Sequence, residues 1–344
     1  MTVVHVVVPD GVDDPTQPSG GNAYDRQVCR GLASTGWSVV QHPVPGSWPR
    51  PGPAASEQLA GVIAGIPDGA VVLVDGLVAS PSPQVLVPEA KRLRLVILVH
   101  MPLGGPAEHA VLSAAAAVVT TSTWTRRRLL DDYALCPNSV HVAEPGVESA
   151  DLAESTPAGG RLLCVAAVTP VKGHDVLVAA LATVADLSWR CTCVGSLDRD
   201  PRFAKRVRRE AMEKGVGDRV HFPGARTGAD LDASYAGADL LVLASRAETY
   251  GMVVTEALAR GLPVVATDVG GLPEALGRGA AGHRPGVLVP PDDPVAFGAT
   301  LRDWLVDGDL RARLRLTARE RRAALADWPA CTSAIAEVLA AAGR

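Results

Sequence analysis

The segment from Leu240 to Glu274, LLVLASRAETYGMVVTEALARGLPVVATDVGGLPE, concentrates the side chains of this sequence that could do chemistry. Two glutamates, Glu248 and Glu256, stand with seven residues between them. A buried-strand pattern runs into the first, and a helical pattern opening near Gly251 carries the second, roughly one turn in. A helix start beside the carboxyl end of a strand offers unpaired N–H groups and the positive end of the helix dipole, a ready place for a phosphate. The amides of Gly251 to Val253 could supply those donors. Placed there, Glu256 could accept two hydrogen bonds from a ribose diol, while Glu248 could reach a sugar beyond the diphosphate. Taken singly, each glutamate also has a plain structural reading, Glu248 complementing the helix dipole and Glu256 solvated on a helix surface.

Other residues extend this pattern. Lys172-Gly173 lies in a strand-to-helix loop, where a flexible ammonium next to helix-start amides can neutralise a diphosphate leaving group. The pair Gly20-Gly21 follows a first strand and a Pro/Asp-rich loop and opens a helix, so its backbone can come close to a phosphate or a sugar. A simple turn would use the same glycines. Asn22 and Arg26 share that helix start and are acceptor-side candidates. His100 ends the strand LRLVILVH at its carboxyl end, a position in reach of a ligand, although a histidine bonding only the next loop would sit there too. Asp198-Arg199-Asp200 has the spacing of a metal-binding pair, but it precedes a helix and reads as loop solvation and capping. Cys191 and Cys193 alternate about Thr192 on one strand face and read as packing, because zinc sites want four convergent ligands. No metal and no cofactor is expected.

These side chains need elements to hold them. Short Val-rich runs, each followed by helical spacing, predict an α/β fold with parallel sheets covered on both faces. Strands are expected at 3–8, 37–42, 71–74, 93–99, 118–121 and 141–143, then at 162–168, 190–194, 220–222, 240–243, 264–266 and 287–289. Helices are expected between them, notably from Asn22 to Thr35 and from Ser122 to Asp132. A length of 344 residues suits two domains. We place an N-terminal domain over 1–150, a hinge at 151–160 within the aperiodic stretch Val147 to Gly160, a C-terminal domain over 161–325, and a last helix over 326–344 that could pack back on the first domain. Doubly wound domains bind ligands beyond the carboxyl ends of their strands, so the active site is expected in the cleft between the halves. The Pro/Gly-rich stretch Pro43 to Ser56 reads as a long surface loop without regular structure, and Trp328-Pro329 as a break before the last helix.

Composition removes whole classes of function. With 47% apolar and 20% charged residues and a net charge of −4, the chain is a globular protein and no electrostatic binder of nucleic acid. The N-terminal MTVVHVVVPDG lacks a basic region, and its apolar run is far short of a signal core or the ~20 residues of a membrane span. Six cysteines spread over the chain point to the cytoplasm.

The glutamate pair followed by EALARGLPVV and VGGLPE resembles the donor site of retaining family-4 glycosyltransferases, of the group 1 type. Further landmarks of that family occur in order: SGGNAYDR, VHMPL, TTSTWTRRRL, PGV and VTPVKGHDVLVAAL, so the resemblance spans Val3 to about Trp328. It implies the GT-B architecture of two facing Rossmann-like domains. It also implies a donor site of Gly20, Gly21, Lys172, Gly173, Arg226, Glu248, Tyr250, Gly251, Met252, Val253 and Glu256, with His100, Lys172 and Glu248 nearest the chemistry and Met101 beside His100 on the acceptor side. The donor would be a nucleotide-diphosphate sugar, UDP before GDP, and the acceptor a small soluble molecule. The reaction would retain configuration by same-face substitution, the departing phosphate oxygen taking the acceptor's proton. One departure stands out: Ala166 and Ala167 replace a glycine and an arginine common in the family, so one cation toward the diphosphate is missing unless Arg161, Arg226 or Arg246 substitutes. A retaining phosphorylase, a nucleotide-sugar hydrolase and a non-catalytic nucleotide-sugar binder stay open as alternatives.

Overall fold

The computed structural model describes residues 2–13 and 18–344. It divides into two compact units, one made of Ser19–Gly146 and Ala326–Arg344 with the N-terminal residues 2–13, the other of Val147–Leu325. In the first unit the strands are β1 (Val3–Pro9), β2 (Ser38–Val44), β3 (Val71–Asp75), β4 (Arg94–Val99), β5 (Ala117–Thr120) and β6 (Val140–Val142). In the second they are β7 (Arg161–Val165), β8 (Arg190–Val194), β9 (Val220–Gly224), β10 (Leu240–Leu243), β11 (Val264–Thr267) and β12 (Gly286–Val289). Among the described residues no helix is long and apolar enough to cross a membrane.

The first sheet has the order β2-β1-β3-β4-β5-β6 and every pairing is parallel. A parallel sheet buries both faces, which is why β3 and most of β4 read as unbroken apolar runs and are buried throughout. The helix Gly20–Ser34 covers one face with Tyr24, Val28 and Leu32, and the helix Trp328–Ala342 packs beside it through Cys331, Ile335 and Leu339. The two helices approach closely because Gly31 has no side chain: a Cβ there would lie 2.2 Å from Thr332 Oγ1. The second sheet has the order β12-β11-β10-β7-β8-β9, again all parallel.

In each sheet the winding direction reverses once. The chain leaves β1 for β2 on one side and returns to β3 on the other, and it leaves β7 for β8 and β9 before returning to β10. Crevices at the carboxyl ends of β1/β3 and β7/β10 are therefore where each doubly wound unit is open to a ligand.

Three expectations change. The stretch Pro43 to Ser56 is not wholly irregular: β2 runs on through Pro43 to Val44, and a helix occupies Pro53–Ala64. Proline is tolerated because β2 is an edge strand and because Pro53 falls in the first helical turn, where no amide bond is lost. Residues 151–160 are fastened to the second unit: the buried Asp239 accepts from Thr156 Oγ1 at 2.7 Å and from Arg161 N at 2.8 Å, and Ala153 N donates to Arg260 O at 3.0 Å. The break expected at Trp328-Pro329 lies just ahead of it, after Arg322, and Trp328 already begins the last helix, capped by Asp327, which accepts from Ala330 N at 2.8 Å.

Candidate functional site

In the second unit the loop after β7 ends in a short 3-10 turn, Pro170–Lys172, and Gly173 then turns the chain into the helix His174–Ala182. Gly173 has a φ of +64°, and a Cβ there would sit 1.9 Å from Ala244 O at the end of β10. Only glycine lets this loop lie against the next one. The contact brings Lys172 beside Glu248, and the Lys172 ammonium donates to Glu248 Oε1. Both side chains keep some exposure, 26% and 14%. The backbone of the β10 loop is held from its other flank by Gly270 and Gly271. Gly271 N donates to Glu248 O at 3.0 Å, and Cβ atoms on these glycines would lie 1.7 Å from Glu248 O and 2.2 Å from Thr249 O.

The helix Met252–Ala259 starts directly after this loop, capped by Gly251 at φ +97°. No side chain caps its first turn, so the amide end at Gly251 to Val253, which follows Glu248 in the same loop, has no side-chain acceptor from a cap. Glu256 lies on the same helix and accepts from the Tyr235 hydroxyl at 2.6 Å through Oε2. Burial pushes the Glu256 carboxyl above its ordinary range, and the Tyr235 hydrogen bond pulls against that. Oε1 has no partner among the described residues. Tyr250 is 5% exposed and packs in the core of the unit, so its ring is a structural part of the loop. Met252 and Val253 are half-buried.

The three arginines that could replace the missing cation fare differently. Arg161 begins β7, at the end of the strand away from this loop, and pairs with Asp239. Arg246 is bound bidentately by Asp175 at 3.0 and 3.1 Å and by Asp292 at 2.6 Å. Burial alone would raise the Asp175 carboxyl, but the Arg246 guanidinium holds it below its usual value. Arg226 donates only to the Ser234 hydroxyl, at 3.0 Å, and is half-buried after β9. Of the three it is the one whose charge is left unpaired among the described residues.

In the first unit Gly20 and Gly21 form the first turn of the helix Gly20–Ser34, whose cap is Ser19: its hydroxyl accepts from Asn22 N at 3.1 Å. A serine before a glycine pair is a readable cap, and it sets the helix start two residues ahead of the expected one. A Cβ on Gly21 would touch His100 Cδ2 at 3.4 Å, so the glycine leaves that ring face uncovered. Asn22 and Arg26 are engaged inside the unit: the Asn22 amide donates to Gly11 O at 3.1 Å and the Arg26 guanidinium to Val12 O. Met101 is half exposed just beyond β4.

His100 follows β4 and its Nε2 lies 2.8 Å from Asp25 Oδ1. Asp25, on the helix, is 3% exposed, and Asp75, the last residue of β3, is equally buried. Burial works against a charged His100, but the Asp25 carboxylate outweighs it, and with Asp75 lifts the imidazole to about 9. Burial, and next the charge of Asp25, push the Asp75 carboxyl up to about 7. Neither aspartate was singled out from the sequence.

Two groups carry atom types that can hold a metal, the cluster Asp25, Asp75 and His100 and the cluster Cys164, His174 and Cys193, each with its potential ligand atoms within 4.8 Å of one another. In the first, the nearest oxygen and nitrogen are already bonded to each other. In the second all three residues are buried, and hydrogen bonding among the thiols, followed by burial, holds Cys164 and Cys193 well above their usual range. Cys191 joins this group 3.9 Å from Cys193. Asp200 caps the helix Pro201–Glu213, accepting from Phe203 N at 2.9 Å.

Residues 157–321 match the family model of glycosyl transferases group 1. The chain is 34% identical over 262 residues to a D-inositol 3-phosphate glycosyltransferase of Salinispora arenicola, a match covering 67% of this chain and 56% of the relative. It is 35% identical over 261 residues to the protein of the same name from Kineococcus radiotolerans, covering 67% and 58%. The chain thus spans little more than half the length of these curated relatives. Among solved structures it is similar to the sucrose-phosphate synthase of Thermosynechococcus elongatus, with a TM-score of 0.79, 21% identity and 99% of each chain covered. It is also similar to Anabaena HepE in complex with UDP-glucose, with a TM-score of 0.77, 17% identity and coverage of 99% of this chain and 100% of that one. Both likenesses show the fold, two Rossmann-like domains of the GT-B type. Through residues 157–321, which carry the Lys172 and Glu248 loops, the chain belongs to the glycosyl transferases group 1.

Proposed function

We propose that this protein transfers a sugar from a nucleotide-diphosphate donor to a small soluble polyol, with retention at the anomeric carbon, as a family-4 hexosyltransferase. The observation that carries the reading is the Lys172–Glu248 pair in the loop that leads into the uncapped start of the helix Met252–Ala259, at the winding reversal between β7 and β10. That loop combines a cation, helix-start donors and a carboxylate, the set a diphosphate and its sugar require. UDP is the favoured carrier, since HepE is described with UDP and with UDP-glucose. The polyol acceptor is suggested by the name shared by the curated relatives.

In this reading negative charge grows on the diphosphate as the bond to the anomeric carbon breaks. Lys172 and the amides of Gly251 to Val253 stabilise it, and such preorganised donors are the largest single contribution in many enzymes. Glu256 accepts from the ribose through its unpartnered oxygen, and Glu248 accepts from sugar hydroxyls. In the first unit, Gly20, Gly21 and His100 are assigned to the sugar and its phosphate, and Asn22, Arg26 and Met101 to the acceptor side. The departing phosphate oxygen takes the acceptor's proton on the same face, so no carboxylate nucleophile is needed. No metal enters these steps, and a cytoplasmic location fits six free cysteines.

The test is a reaction of the purified protein with UDP-glucose and D-inositol 3-phosphate, read by NMR. Release of UDP with a glycoside of the donor's anomeric configuration is expected. An inverted product would remove the same-face mechanism, and glucose released without acceptor would make the protein a hydrolase. No turnover with any nucleotide sugar in a panel of acceptors would remove the transferase reading.

A further inference from the structure

We infer that Asp25 is the positioning residue of His100, and that Asp75, in its neutral form, locks Asp25, so that His100 serves as a fixed hydrogen-bond donor and not as a base. Three segments far apart in sequence build this cluster at the winding reversal of the first sheet: the helix after β1, the end of β3 and the end of β4. The contacts specify where the protons sit. Asp25 Oδ1 is 2.8 Å from His100 Nε2, which fixes a proton on that nitrogen. Asp25 Oδ2 is buried and has no donor among the described residues. A buried carboxylate oxygen without a donor is costly. The neighbouring acid is Asp75, with a carboxylate oxygen within 4.8 Å of one of Asp25 and with its Oδ1 accepting from Leu77 N at 2.6 Å. Two carboxylates this close in a buried site do not both ionise. Below about pH 7 one proton on Asp75 removes the repulsion and gives Asp25 Oδ2 a donor, and above it the charge of Asp75 adds to that of Asp25 in holding the imidazole protonated.

The result is a chain in which Asp75 O–H donates to Asp25 and His100 N–H donates to Asp25 from the other side. The remaining groups around the ring do not change this balance. Tyr24 packs edge-on with ring centroids 5.1 Å apart, Gly21 contributes only backbone, and no other charged side chain perturbs His100. His100 then carries a proton on both nitrogens, and Nδ1, which finds no partner among the described residues, is the donor left for a ligand oxygen. The role toward a sugar rests on the transferase reading, whereas the hydrogen-bond chain does not. Because the imidazole is raised above its ordinary value, the pair's stabilisation is complete below about 6.5 and is lost as pH rises through about 9.

The experiment is an NMR titration of the histidine-labelled full chain, with His100 assigned from the spectrum of His100→Asn, for the wild type, Asp25→Asn and Asp75→Asn. The expected result is that His100 stays protonated to about pH 9 in the wild type and titrates near or below 6.5 in Asp25→Asn. In Asp75→Asn, whose amide can replace the carboxyl proton as donor, His100 still titrates above 6.5 because Asp25 is kept, but below the wild type because the charge of Asp75 is gone. A wild-type His100 titrating near 6.5, or one unmoved by Asp25→Asn, overturns the inference, and the wild-type titration decides even if a variant fails to fold. In parallel, transfer from UDP-glucose to D-inositol 3-phosphate should lose turnover as pH rises through about 9 in the wild type, and already near neutrality in Asp25→Asn, with little change in KM for the donor. Absence of turnover in every protein would count against the transferase reading alone, leaving the titration to judge the cluster.

Discussion

The two units place charged groups at the same topological position and treat them in opposite ways. In the first, His100 is enclosed with Asp25 and Asp75, and its charge is balanced by buried carboxylate. In the second, Lys172 and Glu248 meet on a loop where both stay partly exposed, and the precision comes from backbone packing at Gly173, Gly270 and Gly271. An enclosed cluster fixes one protonation state and one orientation. A glycine-braced loop fixes the path of the backbone while leaving its cation and amides open to a ligand. Rigidity is thus obtained by electrostatics in one unit and by the absence of side chains in the other.

Substitutions sharpen that contrast. Lys172→Ala should have the largest effect on rate, a fall in turnover of about 10²–10³-fold, comparable to losing one preorganised donor to a developing charge. A partly exposed ion pair contributes only ~0–1 kcal/mol to folding, so the melting temperature of that variant should stay within about 4 °C of the wild type. A larger thermal shift, or turnover within about twofold of the wild type, breaks the contrast. Gly270→Ala should act in the reverse sense. Its φ of +55° and the carbonyl 1.7 Å from a Cβ force the β10 loop to move, at a cost of ~3 kcal/mol in urea denaturation. Glu256→Gln keeps an acceptor for the Tyr235 hydroxyl and should weaken nucleotide affinity about tenfold with turnover at saturation nearly unchanged. Arg226→Ala should have the smallest effect, a roughly threefold loss of nucleotide affinity at low salt that fades at high salt, as expected of a partly exposed charge.

The second site was the more legible because it is nearly continuous in sequence. Glu248, Gly251 and Glu256 fall within one strand-turn-helix segment, and Lys172-Gly173 belongs to a similar loop, so local pattern alone indicated strand end, helix start and charge. Every expected strand is present, most within two residues of its expected bounds, since buried parallel strands leave a strong apolar signature. The cluster around His100 was half visible. A histidine at a strand end could be read, but Asp25 and Asp75 reach it from 75 and 25 positions away, and periodicity holds no information about such convergence. Asp25 sits among helix residues and Asp75 at the end of an apolar strand, where each looks like an ordinary polar boundary. The commitment of Arg246 to Asp175 and Asp292, and of Tyr235 to Glu256, was hidden for the same reason. The helix beginning at Pro53 was obscured by composition, because proline and glycine mark loops and helix starts alike.

If the loops bearing Lys172, Glu248 and Glu256 hold a nucleoside diphosphate, isothermal titration of UDP into the wild type and Lys172→Ala will show it. One saturable site per chain is expected in the wild type and an affinity about tenfold or more weaker in the variant, in line with loss of a charge-assisted contact. Binding of equal strength in both proteins, or no binding of UDP or GDP to the wild type, would contradict it.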